Sequence, residues 1–79
     1  MNRQAKQEYC GGIDVGGTKI AAALFTEDGR MSGRKRVPID RGSPEKPVRQ
    51  IIGFIHGLED QARRKGGWLR AIGICIPGV

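Results

Sequence analysis

Long apolar runs, histidine and paired cysteines are scarce in this chain, and each scarcity excludes a class. The longest unbroken apolar run, Ile20 to Phe25, is six residues, far short of the roughly 20 that cross a bilayer. The opening residues Met1 to Glu8 are polar and lack the apolar core of a signal peptide. The two cysteines, Cys10 and Cys75, lie far apart with no Cys-x-x-Cys and no histidine at ligand spacing. In apolar, strand-like surroundings they read as small buried side chains, as in proteins of a reducing compartment. The predicted location is cytoplasmic, with no membrane partner. The single histidine, His56, stands one position off an apolar stripe and reads as a half-exposed surface residue.

Acidic residues are also few, 8 against 14 basic ones, giving a net charge of +6. That excess invites a nucleic-acid reading, but the cations are dispersed. Only Gly33-Arg34-Lys35-Arg36 resembles a patch, and no aromatics are interleaved with it. A solvated strand explains it as well, so no nucleic-acid partner is expected. At 79 residues, 38% of them hydrophobic, the chain makes one small domain. Nearly every large apolar side chain is needed inside, which argues against a free-standing enzyme with its own cleft.

No repeat or low-complexity segment is present. Tyr9 to Val15 reads as a strand with close backbone approach at its glycines. Gly16-Gly17 reads as a turn whose glycines supply backbone angles that other residues avoid. Lys19 to Phe25 suits helix through its alanines and strand through Ile20, Leu24 and Phe25. The turn sequence Thr26-Glu27-Asp28-Gly29 follows at once and decides for strand. Arg30 to Ile39 then pairs back, with Gly33 a candidate bulge.

A helix comes next. Ser43 is predicted as its N-cap, Pro44 as its first residue and Glu45 as complement to its positive end. Val48, Ile51, Ile52, Ile55, Glu59 and Ala62 follow helical spacing, and Leu58 widens the stripe. Arg63-Arg64-Lys65 and then Gly66-Gly67 mark its end. Gly53 and Gly57 inside it suggest close packing on a sheet. Trp68 to Ile76 is a nearly continuous apolar run that suits a buried, parallel strand. The order βββαβ places the chain in the α/β class.

The chemistry lies in Asp14-Val15-Gly16-Gly17-Thr18-Lys19. An acid ending one strand, two glycines, a hydroxyl and a lysine opening the next make a hairpin suited to phosphate. Backbone N–H groups free of Cβ form an anion-binding nest. Thr18 adds a hydroxyl donor, and Asp14 can hold a hard cation such as Mg²⁺, usually through waters. The segment is no P-loop, which ends Gly-Lys-Ser/Thr and opens a helix. Nor is there a Gly-x-Gly-x-x-Gly dinucleotide fingerprint.

Gly12 to Leu24, followed by Asp28-Gly29, resembles the start of the ROK family of repressors, open reading frames and sugar kinases. Ala71-Ile72-Gly73-Ile74-Cys75-Ile76-Pro77-Gly78-Val79 resembles that family's next signature strand. The resemblance implies an incomplete βββαβ piece of an actin-like (ribonuclease H-like) ATPase domain, with ATP and sugar held between two lobes. Residues 1–8 would be a disordered tail. Residues 9–79 would be the first part of the small lobe, ending after the fourth strand. That strand would lack a further neighbour and be left as an exposed edge prone to aggregate.

Carried over, Asp14 would help hold Mg²⁺, and Gly16, Gly17, Thr18 and Lys19 would cradle the phosphates of ATP. Pro77 and Gly78 would lie near the sugar. The resemblance places the family's catalytic base, in an Asn-Asp pair, and its structural zinc motif further along, so no catalytic residue is expected in this chain. It implies glucokinase-like phosphorylation of a hexose by a longer, homo-oligomeric parent. Polyphosphate remains an alternative donor, because this loop touches phosphates and not the base. Repressors of the family carry a winged helix ahead of the Asp-x-Gly-Gly-Thr motif. Only 13 residues precede Asp14 here, too few for such a unit, which favours the kinase over the alternative of a repressor piece. A third alternative, a non-catalytic remnant, has little beyond the chain's length to support it.

Overall fold

The computed structural model describes residues 7–76. Its elements are β1 (Gln7–Val15), β2 (Lys19–Thr26), β3 (Met31–Pro38), α1 (Lys46–Arg64) and β4 (Gly67–Cys75). Strand β1 thus takes in Gln7 and Glu8, which the sequence places in the tail. The strands form one sheet in the order β3-β2-β1-β4. Its first three strands are an antiparallel meander, and β4 lies parallel to β1 after the crossover through α1.

Period-2 burial along β1 and β2 decides which sheet face meets the helix. Tyr9 and Ile13 on β1, with Ile20, Ala22 and Leu24 on β2, are buried beneath Leu58 and Ala62 of α1. Ile13, Ile20 and Leu24 are the largest fully buried side chains. Gly11 gives α1 its seat, because a Cβ there would stand 2.9 Å from Leu58 Cδ1.

The β2–β3 turn closes through Gly29 N–H to the Thr26 carbonyl at 2.9 Å and Thr26 N–H to the Arg30 carbonyl at 2.8 Å. Gly29 there takes a φ of 87°, the left-handed region that glycine enters without penalty. The Thr26 hydroxyl donates to the Asp28 carboxylate, and Arg30 Nε lies 3.2 Å from its other oxygen. The hydroxyl chiefly, then the Arg30 charge, hold the Asp28 carboxyl below its ordinary value. Near Gly33 the register slips, with Leu24 opposite Gly33 but Phe25 opposite Met31, so Ser32 is the residue left over.

Three local expectations are corrected. The helix begins at Lys46, not at Pro44; Glu45 occupies the cap position and makes no side-chain cap bond. Ser43 instead accepts from Lys46 N–H at 3.2 Å through its carbonyl, closing a turn ahead of the helix. Pro47 then takes the first turn, where a missing N–H costs nothing.

Gly53 and Gly57 do not pack on the sheet: a Cβ on either meets nothing within 4 Å. They flank an open groove of about 560 Å³ between α1 and β3, with Arg34, Lys35 and Val37 opposite. Strand β4 is parallel, as its composition suggests, and it is the largely exposed edge expected of a last strand without a further neighbour. Its neighbour on one side is β1, so Ile74 keeps 46% of its surface in water. Cys10 and Cys75 are both exposed, because they lie on the sheet face that α1 leaves uncovered.

The two edges differ in chemistry. Strand β3 carries exposed Arg34, Lys35 and Arg36, charges that discourage another strand from pairing there. Strand β4 carries Arg70, whose Nη1 lies 3.3 Å from Glu8. His56, on the outer face of α1, is exposed with Nδ1 3.3 Å from Glu59. Asp60 is held below its ordinary value, first by a hydrogen bond from Arg63 and next by the Arg64 charge. Among the described residues no helix is long and apolar enough to cross a membrane.

Candidate functional site: the β1–β2 hairpin tip

The tip joins β1 to β2 through Gly16, Gly17 and Thr18. Gly16 N–H donates to the Lys19 carbonyl at 2.8 Å, which closes a tight turn. Neither Gly16 nor Gly17 takes a positive φ, so the expectation that they supply left-handed geometry is corrected. Their lack of a Cβ serves two different ends. At Gly16 a Cβ would stand 3.1 Å from the Lys19 carbonyl oxygen, tight enough to disturb the turn. At Gly17 a Cβ would meet nothing within 4 Å; the fold does not need glycine there, and the space beside its backbone is open.

Neither Gly17 N–H nor Thr18 N–H donates to a backbone carbonyl among the described residues. Gly17, Thr18 and Lys19 are all exposed. The tip therefore presents two free backbone donors, a hydroxyl and an ammonium group to solvent, a set matched to an anion with several oxygens.

Asp14 is the penultimate residue of β1, opposite Ala21 on β2 and Cys75 on β4. Its exposed carboxylate borders a shallow hollow of about 410 Å³ on the uncovered sheet face, with Gly12, Ala23, Phe25 and Gly73. Among the described residues it enters no ion pair, and no three acidic, histidine or cysteine side chains gather as a metal site. One carboxylate suits Mg²⁺ when phosphate and water supply the remaining oxygens, the usual arrangement for that ion. Because β1 and β4 are parallel, their carboxyl ends lie side by side, the edge at which α/β sheets hold ligands. Pro77 and Gly78 lie outside the described residues.

The segment after β3 also braces the tip, a feature not legible in the sequence. Ile39 N–H donates to the Thr18 carbonyl at 2.9 Å, and the Arg41 guanidinium donates to the Gly17 carbonyl. Gln50 of α1 clamps the same segment, accepting from Asp40 N–H at 2.8 Å and donating to the Pro38 carbonyl at 3.0 Å. These contacts join residues 10 to 24 positions apart, with no local motif to announce them.

Residues 10–79 match the ROK family. The chain belongs to the ROK family. It is 34% identical over 68 residues to an N-acetyl-D-glucosamine kinase of Salmonella newport, covering 86% of this chain and 21% of that relative. The N-acetyl-D-glucosamine kinase of Escherichia coli O1:K1 is 35% identical over the same extent. Among solved structures, a ROK family glucokinase from Streptomyces griseus, in complex with glucose and AMPPNP, superposes with a TM-score of 0.65. That match has 32% identity and covers 84% of this chain and 19% of the glucokinase. The ROK chain described here thus has the actin-like α/β fold of a sugar kinase over a small part of it. It spans about a fifth of the length of the curated relatives it matches.

Proposed function

We propose that this chain supplies the first phosphate-binding loop of an ATP-dependent hexose kinase. The observation that carries the reading is the hairpin tip: free N–H groups at Gly17 and Thr18, with open space at Gly17, in a ROK chain. Gly16 holds the turn. Gly17 and Thr18 offer backbone donors, Thr18 its hydroxyl and Lys19 its charge to the terminal phosphates. MgATP, when bound, supplies the transferable phosphoryl group. Asp14 would hold the Mg²⁺ through one carboxylate, leaving the other positions to phosphate and water.

Phosphoryl transfer depends mainly on positioning and on neutralising charge. The tip is suited to both, since its turn is closed by the Gly16 N–H bond to the Lys19 carbonyl and braced by Ile39 and Arg41 before a ligand arrives. Pro77 and Gly78 would border the sugar. The group that takes the proton from the sugar hydroxyl belongs to another part of the protein, as would any structural zinc. Sugar and nucleotide are thus the partners of the full-length protein, which we expect to be a cytoplasmic homo-oligomer. The names of the matched relatives support glucose or N-acetylglucosamine as the hexose.

The test is a coupled assay of ADP release by the full-length protein with each of these sugars. Sugar-dependent ADP release that Asp14→Ala removes is the expected result. Sugar binding without ADP release, in the presence of MgATP, would refute the kinase reading.

A further inference from the structure

We propose that Arg41 is a positioning residue of the phosphate hairpin. The inference rests on the phosphate reading of the tip given above. The peptide between Gly17 and Thr18 is trans, as is every described peptide bond. In a trans peptide the carbonyl and the N–H point in opposite directions. Arg41 donates to the Gly17 carbonyl and so draws it toward the segment that follows β3. Thr18 N–H, on the other end of that peptide, is thereby turned away from the segment and toward open solvent. A phosphate can reach that N–H only from the side opposite Arg41. The guanidinium fixes which way the nest faces without itself having to touch the anion.

Arg41 is held in place for this task. Ile39 N–H ties its segment to the Thr18 carbonyl at 2.9 Å, and Gln50 grips the residues on either side of Ile39. Asp40 Oδ1 accepts from Gly42 N–H at 2.9 Å, and its other oxygen lies 3.8 Å from Lys46 Nζ. The backbone on both sides of Arg41 is therefore anchored, and its long side chain spans a defined gap. Without Arg41 the Gly17–Thr18 peptide has one fewer restraint, because no other described group donates to the Gly17 carbonyl. Glycine at position 17 leaves that peptide free to rotate.

The experiment uses the ¹⁵N-labelled full-length protein, titrated with sodium tripolyphosphate and Mg²⁺ and read at the Gly16, Gly17 and Thr18 amides. The same titration is run on Arg41→Ala and Arg41→Lys, at low salt and at about 0.3 M KCl, where the Debye length falls to roughly 6 Å. The wild-type chain should give saturable shifts at the tip. Arg41→Ala should weaken binding about fivefold to tenfold, the effect of one lost hydrogen bond. That ratio should persist at high salt, and Arg41→Lys should restore most of the affinity. Thermal unfolding should be unchanged, since Arg41 is exposed. Equal affinity for wild type and Arg41→Ala would overturn this inference alone. A loss that vanishes at high salt would mean that Arg41 acts only by its charge, and would overturn positioning. No saturable shift in the wild type would overturn the phosphate reading, and this inference with it.

Discussion

The two tip glycines give a perturbation that separates folding from binding. At Gly17 the position of a Cβ has no neighbour within 4 Å, and the backbone is not left-handed. Gly17→Ala should therefore fold, and gain about 0.4–1 kcal/mol because alanine has fewer unfolded conformations to lose. For a phosphate the same methyl is an obstacle, since it stands beside the N–H groups that the oxygens must approach. Each hydrogen bond to a charged oxygen is worth about 1.5–3 kcal/mol. Losing one weakens binding about 10- to 150-fold. Gly16→Ala should behave in the opposite way: its Cβ would stand 3.1 Å from the Lys19 carbonyl oxygen, so the turn must open and stability falls. The assay pairs guanidinium denaturation with calorimetric titration of MgAMPPNP into the full-length protein. Wild-type affinity in Gly17→Ala would refute the claim that position 17 is kept small for a ligand.

Three further outcomes are expected. In the full-length protein Asp14→Asn should lower kcat by at least tenfold, the usual scale for lost charge stabilisation of a transferring group, while sugar affinity measured by fluorescence titration stays unchanged. Leu58→Ala, which empties the seat over Gly11, should cost about 2–5 kcal/mol and lower the denaturation midpoint; a cost under about 1 kcal/mol would mean that α1 is not anchored there. Asp28 and Asp60 titrate below 3.8 in the folded chain, so the stability they add is full above that value and is lost as pH falls through their lower folded values. Urea midpoints should fall below about pH 4, and Asp28→Asn should flatten part of that fall.

Much of this was legible because the deciding signals are local. Thr26 to Gly29 announces the β2–β3 turn, and with it settles Lys19 to Phe25 as strand despite its alanines. The stripe through Ile51, Ile55, Leu58 and Ala62 gives α1 its buried side. The run Asp14 to Lys19 marks the phosphate candidate. What escaped depends on neighbours in space. Cys10 and Cys75 stand in apolar strand contexts that read as buried, but burial also needs a cover, and α1 covers only the other face of the sheet. Two prolines, Pro44 and Pro47, could each open a helix, and the sequence cannot rank them. Gly53 and Gly57 reflect an open groove, where sequence suggests tight packing. The link from Arg41 to the Gly17 carbonyl has no periodicity or motif behind it.

The pairing of β1 carries a consequence for the order of assembly. Its partners on β4 lie 60 positions away in the chain at Gln7 and Gly67, while its partners on β2 follow immediately. Closing a loop of that length costs about 3.6 kcal/mol by the logarithmic rule, and contacts across it reward the chain only after that cost is met. The β1–β2 hairpin needs no such closure. The hairpin tip and its brace therefore rest on contacts no more than 24 positions apart, all made without β4. They can take shape before β4 docks, and they can persist when β4 frays.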